Sequence, residues 1–259
     1  MKKNDSLLKV QRQAQIRRLV DEHGQVTVTD LSPLFDVSEA TIRRDLEECA
    51  DRGWVRRTHG GAVKIERAIK EPPIMDRIHK NAAAKERIGK KAAEMIQPGE
   101  TVFLGSGTTV LEIAKNLPYD IELTVITNSL LLLDELVNRP NIEIIVIGGM
   151  LRRSELSMVG YIANQAVQEF RADRVFMGIR AIDIKHGFTN DYLPEAVVDR
   201  EILKIAPEIV FVADHEKFSK VSTVLVASTN IVDVMITDVD TPEEIVSTLR
   251  DMMIDVYCV

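Results

Sequence analysis

The sequence predicts a two-part α/β chain: a small helical unit that ends in a hairpin, then a larger body built on a mostly parallel sheet. Two observations predict this arrangement. Residues 7–51 show helical periodicity, and after residue 100 seven short runs rich in Val and Ile alternate with helical stretches. With 259 residues, 45% of them hydrophobic, the chain can bury a sizeable core in one or two domains.

Composition and charge narrow the classes of function. No apolar run reaches the roughly 20 residues that a membrane helix needs, and the first residues lack the apolar stretch of a signal peptide. The two cysteines and five histidines show no metal-ligand spacing. We therefore expect a cytoplasmic protein that binds no membrane and no metal and needs no cofactor.

Charge is divided unevenly along the chain. Residues 1–70 contain 14 Lys and Arg against 11 Asp and Glu, whereas residues 71–259 contain 19 against 29, for a net charge of -7. A basic N-terminal unit on an acidic body suggests that only the N-terminal unit meets a polyanion.

Three helices are expected in the N-terminal unit. The first covers residues 7–22, and Thr29 or Asp30 can cap a short second helix. Ser38 is a good N-cap for a third helix that runs to about Asp51. After it, "WVRRTHGGAVKI" is typical of two short strands around a Gly-Gly turn, where glycine would supply unusual backbone angles.

The third helix has one apolar stripe, made by Ile42, Leu46 and Cys49. Three helices followed by a hairpin form the plan of a winged helix-turn-helix, whose recognition helix enters the major groove of DNA. A lone Arg-Arg pair is usually a solvated helix surface, but a second pair lies on the hairpin, where a wing touches phosphates. Within this domain, residues 1–65, the candidate DNA-contacting residues are Ser38, Ala40, Thr41, Arg43, Arg44, Arg56, Arg57 and His59.

Residues 66–75 contain two prolines and little periodicity, and we expect them to form a linker to a second domain, residues 76–259. A helical stretch over 76–96 opens that domain. Continuous apolar strands separated by helices indicate a Rossmann-like, mostly parallel sheet with helices on both faces. The seven predicted strands are "TVFLG", "LTVIT", "IEIIVIGG", "RVFMGI", "EIVFVAD", "VDVMITD" and "IDVYCV".

Polar groups follow several of these strands, at the edge where ligands of such sheets bind. The turn Gly105–Thr109 combines two glycines, three hydroxyls and the free amides of a helix start, which suit a phosphate or carboxylate. Asn128, Arg152, Asp214 and Lys217 follow other strands. Each one alone is more often a loop or cap residue, but their repetition favours an anion-binding site.

The segment "LSPLFDVSEATIRRDLEECADRGWVRRTHGGAV" resembles the N-terminal signature of the DeoR family of bacterial transcriptional regulators, and the resemblance extends over nearly the whole chain. It implies a repressor of a carbohydrate-utilisation operon that binds double-stranded operator DNA. It also implies a sensor domain similar to ribose-5-phosphate isomerase, which takes a phosphorylated sugar as effector. By this resemblance the effector-binding residues are Gly105, Ser106, Gly107, Thr108, Thr109 and Lys217 around the phosphate, and Asn128, Arg152, Asp191 and Glu195 near the sugar.

The sequence departs from the family pattern at two places. Gly105 stands where many relatives carry an acidic residue, and Arg180 lies in a loop where many have Gly-Asp or Gly-Gly. These changes leave the identity of the sugar open, and Arg180 favours a more anionic ligand.

An isomerase-like enzyme is the alternative function, because carboxylates such as Asp183, Asp191 and Asp214 lie near strand ends where a catalytic base is needed. The attached DNA-binding unit argues against turnover, since a sensor needs binding alone. A purely architectural DNA-binding protein does not explain the large second domain. A single small reading head gives limited specificity, so we expect a homodimer or homotetramer on paired half-sites.

Overall fold

The structure, a computed structural model, describes residues 2–67 and 71–259, with side chains described for 9–65 and 71–259. The chain divides into two compact units, Met1–Glu66 and Arg67–Val259. Among the described residues, no helix combines the length and apolarity needed to cross a membrane.

The first unit packs helices against a small antiparallel sheet. Its elements are α1 Lys2–His23, β1 Gln25–Thr27, α2 Val28–Phe35, α3 Glu39–Asp51, β2 Arg56–Thr58 and β3 Gly61–Val63. The strand order in the sheet is β1-β3-β2. The predicted helices and hairpin are confirmed, and the sheet gains a third strand, β1, that the sequence pattern did not indicate.

Side-chain caps mark where α2 and α3 begin. The Oγ1 of Thr27 accepts a hydrogen bond from the Asp30 amide at 3.1 Å, so the predicted caps at Thr29 or Asp30 were wrong by two or three residues. The predicted cap of α3 is confirmed, because the Oγ of Ser38 accepts from the Thr41 amide at 3.3 Å.

The core of the first unit forms between α1, α2 and α3, where Ile16, Ile42 and Leu46 are fully buried. Gly61 is needed for a different reason than predicted. A Cβ on Gly61 would lie 2.0 Å from the carbonyl oxygen of Val26, so glycine lets β1 approach β3. Neither Gly60 nor Gly61 has a positive φ, and the expectation of unusual turn angles there was wrong.

The second unit alternates strands and helices. The short strand β4 Glu66–Arg67 lies at the boundary of the units. The first part of the second unit then contains α4 Ile74–Arg77, α5 Ala82–Ala93, β5 Thr101–Leu104, α6 Thr108–Asn116, β6 Leu123–Thr127, α7 Leu130–Leu136, β7 Ile142–Val146, β8 Met150–Arg152, β9 Ser157–Val159 and α8 Tyr161–Gln168. Its second part contains β10 Arg174–Met177, β11 Ala181–Asp183, β12 Gly187–Asn190, α9 Leu193–Ile202, β13 Glu208–Val212, β14 Lys220–Val221, β15 Val224–Ala227, β16 Val234–Thr237, α10 Glu243–Asp251 and β17 Asp255–Cys258, with single 3₁₀ turns at His215–Lys217 and Thr229–Ile231.

A seven-stranded sheet forms the centre of the second unit, in the order β17-β16-β13-β10-β5-β6-β7. All its neighbouring strands are parallel. Consecutive residues such as Phe103 and Leu104 enter separate apolar cores on opposite faces, so both faces are covered. The predicted fold class is confirmed, and the seven predicted apolar runs are the seven strands.

The strand order of the central sheet contains a point at which the chain connections diverge. From β5 the sheet continues to β6 and β7 on one side and to β10 on the other, so the connections diverge between β5 and β10. Parallel sheets bind ligands at the carboxyl ends of strands at such a point. The Gly105 amide donates to the carbonyl of Phe176 at 2.9 Å, which fixes the β5 loop against β10.

The helix predicted over 76–96 is divided into α4 and α5. Asn81 lies between them with φ of 52°, a left-handed conformation that interrupts a helix. The preceding segment is anchored to the unit, because Ile74 is fully buried and its amide donates to the Ser154 carbonyl at 2.7 Å.

Candidate functional site

The start of α3 presents the residues that the sequence proposes for DNA contact. Ala40, Arg43 and Arg44 are exposed there, and Thr41 is half-buried with its hydroxyl 3.0 Å from that of Ser38. Because Ile42 and Leu46 face the core, this first turn has one outward face of small, polar and cationic groups.

The arginines proposed for DNA contact differ in their partners. Arg43 pairs with Glu39 at 3.2 Å, whereas Arg44 forms no ion pair with any residue the structure describes. On β2, the Nε of Arg56 and one terminal nitrogen of Arg57 are buried without a hydrogen-bond partner among the described residues. His59 is exposed at the hairpin turn.

Asp45, in the Arg-Arg-Asp sequence of α3, has a structural role that sequence reasoning missed. It is 1% exposed and accepts hydrogen bonds from the Nε of Arg12 at 2.5 Å and the Nε2 of Gln13 at 3.2 Å. Its carboxylate therefore ties α3 to α1. The signal was present, since Asp45 falls three residues after Ile42 and so lies within the apolar stripe.

The turn between β5 and α6 contains unused hydrogen-bonding groups, although Thr108 and Thr109 are buried. Gly107 has φ of 127°, and the α6 helix begins immediately after it. Within the part of the chain that the structure describes, the hydroxyls of Ser106, Thr108 and Thr109 form no hydrogen bond. Together with the free amides at the start of α6, these groups can hold an anion.

Asn128 lies at the end of β6, the strand next to β5. It is 1% exposed, and its Nδ2 donates to the Met158 carbonyl at 3.2 Å. Its Oδ1 is buried without a hydrogen-bond partner among the described residues. Because buried acceptors are normally hydrogen-bonded, this oxygen is available to accept from a donor such as a water or a ligand hydroxyl.

Arg152, Asp191 and Glu195 are brought together by the structure. Arg152 lies 3.1 Å from the Oδ1 of Asp191 and forms a close ion pair with Glu195. The other carboxylate oxygen of Glu195 accepts from the Ser157 hydroxyl at 3.1 Å. The β8–β9 hairpin and the start of α9 thus position one polar cluster.

Lys217 joins the same network through a residue that the sequence did not indicate. It pairs with Glu71, whose Oε2 lies 2.7 Å from Arg77 and 3.2 Å from Arg180. The Nε of Arg180 lies 3.3 Å from the Oδ2 of Asp191. A continuous chain of ion pairs therefore connects Lys217 to the cluster around Arg152.

The pKa values of two acids in this region are displaced in opposite directions. Burial alone raises the pKa of the Glu71 carboxyl, but Lys217, Arg77 and Arg180 outweigh burial and hold that pKa below its usual range. Burial raises the pKa of Asp199 well above its usual value, and the charge of Glu195 raises it further. Asn190 donates to both acids, at 3.0 Å to Glu195 and 3.2 Å to Asp199.

One group of described residues has the side chains of a cation site. The candidate ligand atoms of His215, Asp238 and Asp240 lie within 4.8 Å of one another. The Nδ1 of His215 is already hydrogen-bonded to Asp238 at 2.9 Å, so the carboxylate and the imidazole satisfy each other.

Comparisons with known proteins agree with both units. The model of the DeoR-like helix-turn-helix domain matches residues 12–68, and that of the DeoR C terminal sensor domain matches residues 80–239. A putative aga operon transcriptional repressor of Escherichia coli is 34% identical over 251 residues, which cover 96% of this chain and 93% of that protein. The chain belongs to the DeoR family.

Two further relatives match over similar lengths. The HTH-type transcriptional regulator GolR of Listeria innocua is 33% identical to this chain. The match covers 88% of this chain and 90% of GolR. The glycerol-3-phosphate regulon repressor of Escherichia coli is also 33% identical, and the match covers 93% of this chain and 95% of that repressor. A solved ribose 5-phosphate isomerase A of Methanocaldococcus jannaschii is 15% identical, with 54% of this chain and 55% of that one covered and a TM-score of 0.40.

Membership of the DeoR family decides between the functions that the sequence left open. This chain is a DNA-binding transcriptional regulator and not an enzyme, because its relatives over almost the whole length are regulators with the same DNA-binding domain. The family resemblance predicted from the motifs is confirmed.

Proposed function

We propose that this DeoR-family regulator represses a carbohydrate-utilisation operon and that a phosphorylated sugar, bound in the second unit, modulates its binding to operator DNA. The names of two relatives, repressors of an aga operon and of a glycerol-3-phosphate regulon, support this function class. The observation that carries the proposal is the β5–α6 turn, where three hydroxyls without partners among the described residues meet a helix start at the carboxyl end of β5, beside the point where the strand connections diverge.

On the DNA side, the reading surface is the first turn of α3, and the wing is the β2–β3 hairpin. Arg44 is the strongest candidate for a base or phosphate contact, because it is exposed and has no carboxylate partner among the described residues. A homodimer or homotetramer would place two such helices on paired half-sites.

On the effector side, the phosphate would bind at Gly105–Thr109 with Lys217 as countercharge. Asn128, Arg152, Asp191 and Glu195 would then face the sugar, whose hydroxyls both donate and accept hydrogen bonds. The buried Oδ1 of Asn128 supports this part of the proposal, since it lacks a donor among the described residues. Because charge-assisted hydrogen bonds are stronger than neutral ones, the phosphate should supply much of the affinity.

The test begins with a panel of phosphorylated sugars and their unphosphorylated counterparts, screened by thermal shift. The best compound is then titrated into complexes of the protein with DNA from upstream of its own gene. Thr108→Glu places a carboxylate where the phosphate belongs and should abolish the response while DNA binding is retained. Thr108→Val, which removes only a hydroxyl, should weaken the response several-fold.

Thr223→Glu is the matched control, since Thr223 is exposed in the same unit and the variant should respond like the parent. Thermal unfolding of each variant verifies that the second unit is folded. A Thr108→Glu protein that responds at the parent's concentration would show that the effector binds elsewhere. A panel without any active phosphorylated sugar would disprove the effector class.

A further inference from the structure

Lys217, the cation proposed to hold the effector phosphate, is already neutralised in the structure. Its carboxylate partner is Glu71, which precedes the Pro72-Pro73 pair at the start of the second unit. The same carboxylate pairs with Arg77 at 2.7 Å and with Arg180 at 3.2 Å. One acidic side chain therefore lies among three cations.

The other partners of these cations show which of them depends on Glu71. Arg77 also pairs with Glu155, and Arg180 also pairs with Asp191. Lys217 forms an ion pair with Glu71 and with no other carboxylate that the structure describes. An anion that binds Lys217 must therefore compete with Glu71.

We propose that Glu71 is an internal ligand of the sensor: its carboxylate occupies an anion subsite formed by Arg77, Arg180 and Lys217, and the effector phosphate binds there by displacing it. This inference rests on the proposed function and names the residues that effector binding rearranges. It adds two cations, Arg77 and Arg180, to the predicted effector site.

The exchange is favourable because of charge and geometry. A phosphate group carries about -1.5 to -2 charges at neutral pH and three acceptor oxygens, whereas Glu71 offers one charge and two oxygens. Lys217 is 18% exposed and has no other carboxylate partner among the described residues, so leaving it without an anion is costly, and only another anion can replace the carboxylate. A neutral sugar cannot make this exchange.

The position of Glu71 in the chain gives the exchange a consequence for the first unit. Glu71 lies in the segment that connects the two units, and Ile74, buried three residues later, anchors the start of α4. When phosphate replaces Glu71, the connecting segment loses an attachment point that lies before this anchor. Effector binding is thereby coupled to the segment that carries the DNA-binding unit.

The experiment compares the full-length parent with Glu71→Gln, using inorganic phosphate as the probe in isothermal titration calorimetry. Glu71→Gln removes the competing charge and should bind phosphate at least tenfold more tightly than the parent. Glu155→Gln is the matched control, because Glu155 also pairs with Arg77 but not with Lys217, and it should change the affinity less than threefold. Glu71→Asp, which keeps the charge on a shorter side chain, should give an intermediate affinity and serves if Glu71→Gln does not fold.

Limited trypsin digestion supplies an independent readout at the bond after Arg67. Saturating phosphate should accelerate this cleavage in the parent, and Glu71→Gln should be cleaved at the accelerated rate without phosphate. Equal phosphate affinity in Glu71→Gln and the parent, or an equal gain in Glu155→Gln, would overturn the proposal. So would absence of phosphate binding by folded Glu71→Gln.

The two proposals fail in different ways. If sugar phosphates alter operator binding but Glu71→Gln gains no phosphate affinity, only the displacement of Glu71 is disproved. If Glu71→Gln gains affinity but no sugar phosphate alters operator binding, the anion subsite stands and the proposed effector class is disproved.

Discussion

Cations at the proposed DNA-contacting surface of the first unit and cations at the candidate effector site of the second unit are held differently. In the first unit, Arg44 has no ion pair, and nitrogens of Arg56 and Arg57 lack hydrogen-bond partners, all within the described residues. In the second unit, by contrast, Arg152 and Lys217 are paired with carboxylates in a half-buried network. DNA binding gains from unpaired surface cations, because they replace the counterions of the phosphates. A desolvated pocket needs balanced charge until its ligand arrives.

The largest effect is expected from a carboxylate in the core of the first unit. Leu46 is fully buried, and Leu46→Asp should cost that unit about 3 kcal/mol or more and abolish DNA binding, because an unpaired buried charge is strongly unfavourable. Fluorescence of Trp54, the single tryptophan, follows the first unit on heating, and far-UV circular dichroism follows the second. Leu34→Asp, at a position 61% exposed, is the control. A joint loss of both units in one transition would show that they are not independent.

Substitution of Asp45 tests whether a buried charged residue of α3 contributes more to stability than an exposed one. Asp45→Ala leaves Arg12 without its buried partner and should destabilise the first unit by about 3–5 kcal/mol. Glu39→Ala removes the exposed pair with Arg43 and should cost less than about 1 kcal/mol. Trp54 fluorescence during urea unfolding measures both. If Asp45→Ala were as stable as the parent but weaker on DNA, Asp45 would belong to the reading surface.

Arg44→Ala tests the unpaired cations of the first unit. Specific operator binding should weaken by about 1–3 kcal/mol if Arg44 contacts a base. If it contacts a phosphate, specific and nonspecific binding should fall together and the salt dependence should become shallower. Fluorescence anisotropy at several salt concentrations separates these outcomes. Arg18→Ala, in an exposed pair with Glu22 on α1, should leave affinity unchanged; an unchanged Arg44→Ala would remove Arg44 from the interface.

The smallest expected effect is a change in how the stability of the second unit depends on pH, and it comes from the buried acid Asp199. Burial raises the pKa of Asp199, so the folded state keeps its proton to a higher pH than the unfolded state does. This contribution to stability is complete below the usual aspartate pKa of about 3.9 and is lost as pH rises through the raised pKa. Asp199→Asn should therefore flatten the decrease in melting temperature that occurs as the pH rises above the usual aspartate pKa. Asp120→Asn, at an exposed site, should keep the parent's profile, and an equally steep Asp199→Asn profile would contradict the assignment.

The central sheet could be predicted because its strands are covered on both faces. Val102, Phe103 and Leu104 are all fully buried, and such continuous apolar runs are distinctive in a sequence. The β8–β9 hairpin could not be predicted, since its strands have three residues each and mix polar with apolar side chains. Short strands of this kind depend on tertiary contacts rather than on local pattern.

The candidate site could be predicted only in part, for a similar reason. Arg152, Asp191 and Glu195 follow strands or begin a helix, and the structure places them in contact. Glu71 stands beside two prolines, which is typical of a linker, and its partner Lys217 is 146 residues away. No local pattern reports an ion pair over such a separation.

The two faces of α3 have a consequence for how such regulators diversify. Ile42, Asp45 and Leu46 hold the helix in place, whereas the exposed Ala40 and Arg44 contribute no buried contact. Changes at the exposed positions can therefore accumulate without an accompanying loss of folded protein. A gene duplicate of this regulator could acquire a new DNA target through surface substitutions alone, while its inherited core stays under purifying selection.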